Sequence, residues 1–371
     1  MVKKNWFLFW LAVFLLLPAS AFAQLTDDSR SSVEDKQEQR QEELEQLREL
    51  KTTPKTAEEV LEQLKERAKE RIAEKRRAEL LKTKLSASFT SGYESNPANT
   101  QDTLEKGDSW WENSFTAGWV PTFTKKLSAD INYSLTIKNF FEQGALSTDN
   151  HSINASLKYL PTKSGKFTIE PGAKKEWNIY LTDTASSFEQ YKLFTKISHI
   201  LNQRWSYGGK YEYAYKEYDK KAALDDSGAN FNFHRADHRN SLEAWLKRQI
   251  GKYSVKLREK SYMNNSNSQQ THYDDYDDHD VEISLSGAFL KDNKLFTTLT
   301  TDYEIKNYRR RAGDDPVARA DRALQYRLNA YYTLNKNLSL SYTFSVKNNN
   351  SNKGSGEFRD ITNSLGLTIN F

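Results

Sequence analysis

The stretch Arg359 to Phe371 alternates residue by residue. Ile361, Asn363, Leu365, Leu367, Ile369 and Phe371 share one parity; Asp360, Thr362, Ser364, Gly366, Thr368 and Asn370 share the other. Successive side chains of a strand point to opposite faces, so this segment reads as a strand with one greasy surface and one wet one. The same period of two recurs upstream, as in Leu127, Ala129, Ile131, Tyr133, Leu135 and Ile137, and again in Leu338, Leu340, Tyr342, Phe344 and Val346. From Leu85 onward about fourteen such segments follow one another, each near the roughly ten residues that a tilted membrane strand requires.

A mean hydropathy of -0.83 argues against membrane helices, but in a barrel only every second residue of a strand meets lipid. Twenty Tyr and eight Trp suit the aromatic girdles of the two membrane interfaces. Connections alternate in length. Short ones carry turn chemistry, in Pro161-Thr162-Lys163-Ser164-Gly165, Asn202-Gln203, Gly251, Asp292-Asn293 and Asn335-Lys336-Asn337. Long ones run from Glu94 to Asp108, Asp219 to Ala236, Asn264 to Asp280, Arg309 to Ala320 and Asn348 to Glu357. Outer-membrane barrels pair short periplasmic turns with long external loops. A soluble β-sandwich also has many alternating strands, yet it needs neither uniform strands nor alternating loop lengths. The predicted fold is all-β: a transmembrane antiparallel up-and-down β-barrel of about 14 strands, preceded by a short charged helical arm.

Residues 1–23 read as a signal peptide, with Lys3 and Lys4, an apolar run from Trp6 to Leu17, and Ala21-Phe22-Ala23 before Gln24. Residues 24–83 form the arm and 84–371 the barrel, an outer-membrane protein with a periplasmic N-terminal extension. No aromatic residue occurs from Gln24 to Ser88, and Pro54 divides the arm into two helices. Glu62 with Lys65, and Glu66 with Lys69, support the second helix from within. The absence of cysteine excludes a disulfide scaffold, a thiolate metal site and a cysteine nucleophile. A formal charge of +4 is too small to argue for nucleic acid.

The run Gly92-Tyr93-Glu94-Ser95-Asn96-Pro97 resembles the first-strand exit of porin-like bacterial outer-membrane barrels, a class that includes the barrel part of surface-lipoprotein assembly modifiers. Those modifiers carry helical repeats ahead of the barrel, and this arm is too short and too charged to match them. The closing strand resembles that of outer-membrane barrels, where the terminal aromatic is the signal read by the barrel assembly machinery. The resemblance thus implies that role for Phe371.

On the face opposite the apolar one, the same parity places Lys192, Lys196, Lys210, Glu212, Glu243, Lys247, Lys256 and Arg258, among other charges, in the lumen. Lys and Arg outnumber Asp and Glu there by nearly two to one on this reading, so the interior is expected to favour anions. The expected function is passive passage of hydrophilic, preferably anionic, solutes or an acidic glycan. An alternative is a closed barrel filled by cross-strand ion pairs, acting as a binding or assembly protein through its loops or arm.

The acidic stretch His272 to Asp280 offers oxygens and imidazoles to a cation but lacks the glycine-bearing spacing of a calcium loop, so it reads as a solvated loop. Arg309, Arg310 and Arg311 are candidates for lipopolysaccharide phosphates. A rim hydrolase is a second alternative, resting on His234 with Asp237 and His238, or Asp278 with His279, in predicted external loops; no nucleophile pattern supports it. No cofactor or metal is expected. The expected partners are outer-membrane lipid, lipopolysaccharide, the assembly machinery, and a periplasmic partner for residues 24–83.

Overall fold

The structure, a computed structural model, describes residues 82–99, 106–162, 164–182, 184–224, 230–268, 275–309 and 317–371, with residues 65, 66, 69 and 70, which are helical. The predicted signal peptide lies outside the described residues, as does the predicted arm apart from those four residues, Lys82 and Thr83, and Thr83 already opens the first strand. The strands are β1 (Thr83–Glu94), β2 (Asp108–Trp119), β3 (Thr122–Thr124), β4 (Leu127–Phe140), β5 (Thr148–Tyr159), β6 (Phe167–Tyr180), β7 (Phe188–Ile200) and β8 (Trp205–Leu224). They continue as β9 (Asn230–Ile250), β10 (Tyr253–Ser266), β11 (Tyr276–Phe289), β12 (Leu295–Tyr308), β13 (Ala320–Thr333), β14 (Leu338–Ser351) and β15 (Phe358–Asn370).

Each strand pairs antiparallel with its neighbour, and β1 pairs with β15, from Ser86 opposite Asn370 to Glu94 opposite Thr362. The three-residue β3 is a spur on β4, while β2 pairs directly with β4 from Trp110–Phe140 to Trp119–Ile131. The sheet is therefore a closed barrel whose wall holds fourteen of the fifteen strands. Closure leaves no edge strand, which lets a β-structure cross lipid with its backbone groups paired.

The apolar parity lies outside. Leu193, Leu242, Ile283, Leu299, Leu340 and Leu365 are all exposed although each sits within a strand. Aromatic side chains such as Tyr93, Trp119, Tyr159 and Tyr207 stand exposed toward the strand ends, where girdles are expected. Among the described residues, the buried apolar side chains are Trp110, Phe140, Pro121 and a few alanines. No apolar core fills the barrel among them. Its interior carries polar side chains instead, and several keep substantial exposure, Lys196 at 46% and Lys174 at 33%.

The short turns follow the expected chemistry. Asn202 Oδ1 accepts from the backbone N–H of Arg204 (2.8 Å) and of Trp205 (3.0 Å), and Asn335 does the same for Asn337 and Leu338. Gly251 takes a positive φ of 58° in the turn that joins the paired Ile250 and Tyr253.

The other side departs from expectation. β8 and β9 run far past their predicted ends, so most of the predicted loop from Asp219 to Ala236 is strand. Two external connections are compact, with 3-10 turns at Gly144–Leu146 and Thr184–Ser186. In each a serine hydroxyl accepts from a strand N–H: Ser147 from Phe140 and Ser187 from Tyr180, both at 3.0 Å. Loop length therefore does not alternate strictly. A short loop that satisfies its own backbone through serine leaves no signature of length.

Candidate functional site

The interior face is divided into two arcs. From β14 through β15, β1, β2 and β4 to β5, one row of register partners reads Ser339, Thr368, Ser88, Ser114, Thr136 and Asn150. Every member is a small hydroxyl or amide, and the Ser114 and Thr136 hydroxyls bond at 3.0 Å. In the adjacent row Thr116 and Ser134 bond at 2.8 Å. Across the lumen, from β6 to β12, a single row reads Glu170, Lys196, Lys210, Glu243, Lys260, Asp280 and Glu304. In these rows neutral donors and acceptors face charged ones, and toward the external end Glu94, Glu112 and Lys138 bring charge to the first arc as well.

Most charges of the second arc neutralise one another. Lys192 pairs with Glu176 and Lys210 with Glu212, while Lys196 reaches Glu170 at 4.0 Å. Arg258 lies 2.9 Å from Glu282, 3.1 Å from Asp280 and 3.8 Å from Asp302. Glu243 sits in register between Lys210 and Lys260. Lys247 and Lys256 differ. They are direct cross-strand partners, and neither has an ion-pair or hydrogen-bond partner among the described residues.

The expected excess of base is narrower than the sequence reading made it. Strands continue beyond the apolar alternation and bring Glu94, Glu112, Asp237, Asp278, Asp280, Asp321 and Asp360 onto the interior parity. Several lie toward the external end, where Lys138 meets Glu94 at 3.3 Å and Lys306 meets Asp278 at 3.5 Å and Glu304 at 3.3 Å. There Asp360 Oδ1 also accepts from the N–H of buried Asn96 (3.0 Å), bridging the closing strand to the first connection.

The hydrolase pairings do not form. Tyr276 to Asp280 belong to β11 and His234 to His238 to β9, not to loops. Because parity alternates, Asp278 faces inward and His279 outward, and likewise Asp237 and His238. Asp237 binds Arg235 at 2.8 Å, and His238 Nδ1 meets the Tyr213 hydroxyl at 2.8 Å. A cluster unforeseen in sequence lies on the outer wall: Ser261 Oγ is 2.8 Å from His279 Nδ1, and its hydroxyl also contacts Glu259. There the acid holds the serine rather than the second ring nitrogen, so the relay of a catalytic triad is absent.

Of the acidic stretch, 272–274 lies outside the described residues, and no metal-holding group of acidic or histidine side chains occurs among the described residues. Arg309 donates to Asp277 at 2.7 and 3.0 Å and to Asn265 at 2.6 Å, so its guanidinium already has a protein partner. Arg310 and Arg311 lie outside the described residues.

A wall of fourteen strands, apolar outside and polar within, decides the class of architecture. The fold is porin-like. Solved structures with similar folds include OprB of Pseudomonas putida, 8% identical over 78% of this chain and 94% of that one, with a TM-score of 0.46. Others are OmpT, an outer membrane protein of Vibrio cholerae (8% identity, 78% and 99% coverage, TM-score 0.42), and OccK2 of Pseudomonas aeruginosa (10%, 79% and 98%, 0.40). No protein-family model and no curated protein matches the sequence.

Proposed function

We propose that the chain is an outer-membrane channel that passes hydrophilic, preferably anionic, solutes. The observation that carries the anion preference is the adjacent pair Lys247 and Lys256, whose charge no described acid offsets. Like charges placed directly opposite on neighbouring strands repel. In a water-filled lumen an anion relieves that repulsion, and the pair then acts as a local positive field for traffic. The ion pairs of the arc hydrate the wall without adding much net field, while Lys216, Arg239 and Lys260, interior cations outside those pairs, add to the positive side.

In a planar bilayer under a salt gradient, the unmodified protein is expected to give a reversal potential of the sign for anions. Changing Lys247→Glu together with Lys256→Glu is expected to move it toward cations. An unchanged potential in the double variant would remove the assignment. The rival reading, a closed barrel acting by binding, draws on the ion-pair ladder of Arg258 and Lys306; it predicts no conductance from either protein.

A further inference from the structure

Glycine and a large aromatic face one another in three register pairs of the interior: Gly92 with Trp110, Gly172 with Phe194, and Gly208 with Trp245. In each, the ring lies across the glycine. A Cβ at Gly208 would meet the Trp245 indole at 2.6 Å (Cζ2) and 2.8 Å (Cε2), and a Cβ at Gly172 would collide with the Phe194 ring. Such cross-strand cover of glycine supports a sheet where it curves. The pairs differ in what lies on the other ring face. Lys138 caps Trp110 at 4.5 Å and Lys210 caps Phe194 at 4.7 Å. No cation or ring contact caps Trp245 among the described residues. Its next interior neighbour along β9 is Lys247, beside Lys256.

We infer that Trp245, Lys247 and Lys256 form a binding subsite for a carboxylate-bearing sugar ring. This rests on the channel reading above and names its ligand class. A flat indole held against the wall presents one face to the lumen, and the C–H face of a pyranose stacks on such a surface. Two ammonium groups without acidic partners stand one step further along the strand to receive the carboxylate. Ser206, opposite Lys247, and Ser284, opposite Lys256, place hydroxyls on both sides for the ring hydroxyls. An aryl carboxylate satisfies the indole and the lysines but leaves those hydroxyls unused. A neutral sugar leaves the lysines unused.

The test is equilibrium calorimetry of detergent-solubilised barrel with D-glucuronate, D-glucose and benzoate, beside bilayer recordings with the same solutes. Glucuronate is expected to bind and to interrupt the ion current, with glucose and benzoate each weaker by about tenfold or more. Trp245→Ala is expected to weaken glucuronate by about tenfold, Trp245→Phe by less, and Lys247→Gln with Lys256→Gln to abolish binding; the lipid-facing Leu246→Ala serves as the control. Compact gel mobility before boiling verifies that each variant is folded. No glucuronate binding to a folded barrel, benzoate binding as tightly, or no weakening in folded Trp245→Phe and Trp245→Ala would overturn the subsite. An anion-selective barrel that ignores glucuronate refutes the subsite alone. A barrel that binds glucuronate in calorimetry but never conducts refutes the channel and keeps the subsite.

Discussion

Ile283→Arg is expected to cost about 2–4 kcal/mol of barrel stability, whereas Ser286→Arg, on the opposite face of the same strand, is expected to be tolerated. Ile283 is 54% exposed near the middle of β11, with Leu257 and Thr301 beside it on the neighbouring strands. It lies on the lipid parity, where a guanidinium near the bilayer midplane has neither water nor a counter-ion. Ser286 lies half-buried on the interior parity between the neutral Ser254 and Thr298, from which an added guanidinium extends into the lumen. Urea-induced unfolding in lipid vesicles measures both. Equal losses in the two variants would mean that the faces are misassigned.

Removing Phe371, or changing it to Asp, is expected to lower the amount of folded barrel in the outer membrane several-fold. The Phe371 N–H donates to the Leu85 carbonyl at 3.0 Å, which makes it the last rung between β15 and β1. Its ring is 57% exposed on the outward parity, available both to lipid and to a recognition surface. Membrane fractionation with gel mobility before and after boiling reads the effect; an unchanged level of compact barrel would count against this role.

Strand number and facing were legible in the sequence because one parity of every strand is apolar, and a register set by burial cannot slip by one residue without inverting the faces. The ends were not. Above the lipid a strand has no reason to stay apolar, so Tyr276 to Asp280 and Asn230 to Ala236 look like loop while their backbone continues the ladder. That hidden extension carried two of the missed interior acids, Asp278 and Asp280. The hydroxyl arc was readable in principle, since Ser86, Ser88 and Thr90 alternate with Leu85, Ala87 and Phe89; attention to charge alone passes over it. The Trp245 platform was not readable, because its open face depends on the lysines that cap Trp110 and Phe194 but not Trp245. Those contacts are set by rotamers on neighbouring strands.

Current through single barrels of the unmodified protein in a planar bilayer tests the central claim, a water-filled interior with a net anionic preference. Stable conductance is predicted, with a reversal potential of anionic sign that shrinks as salt rises, because lumen charges are screened over about 10 Å at 0.1 M. Absence of conductance, even after removal of residues 24–81, which leaves the first strand whole, or a potential of cationic sign, would contradict it.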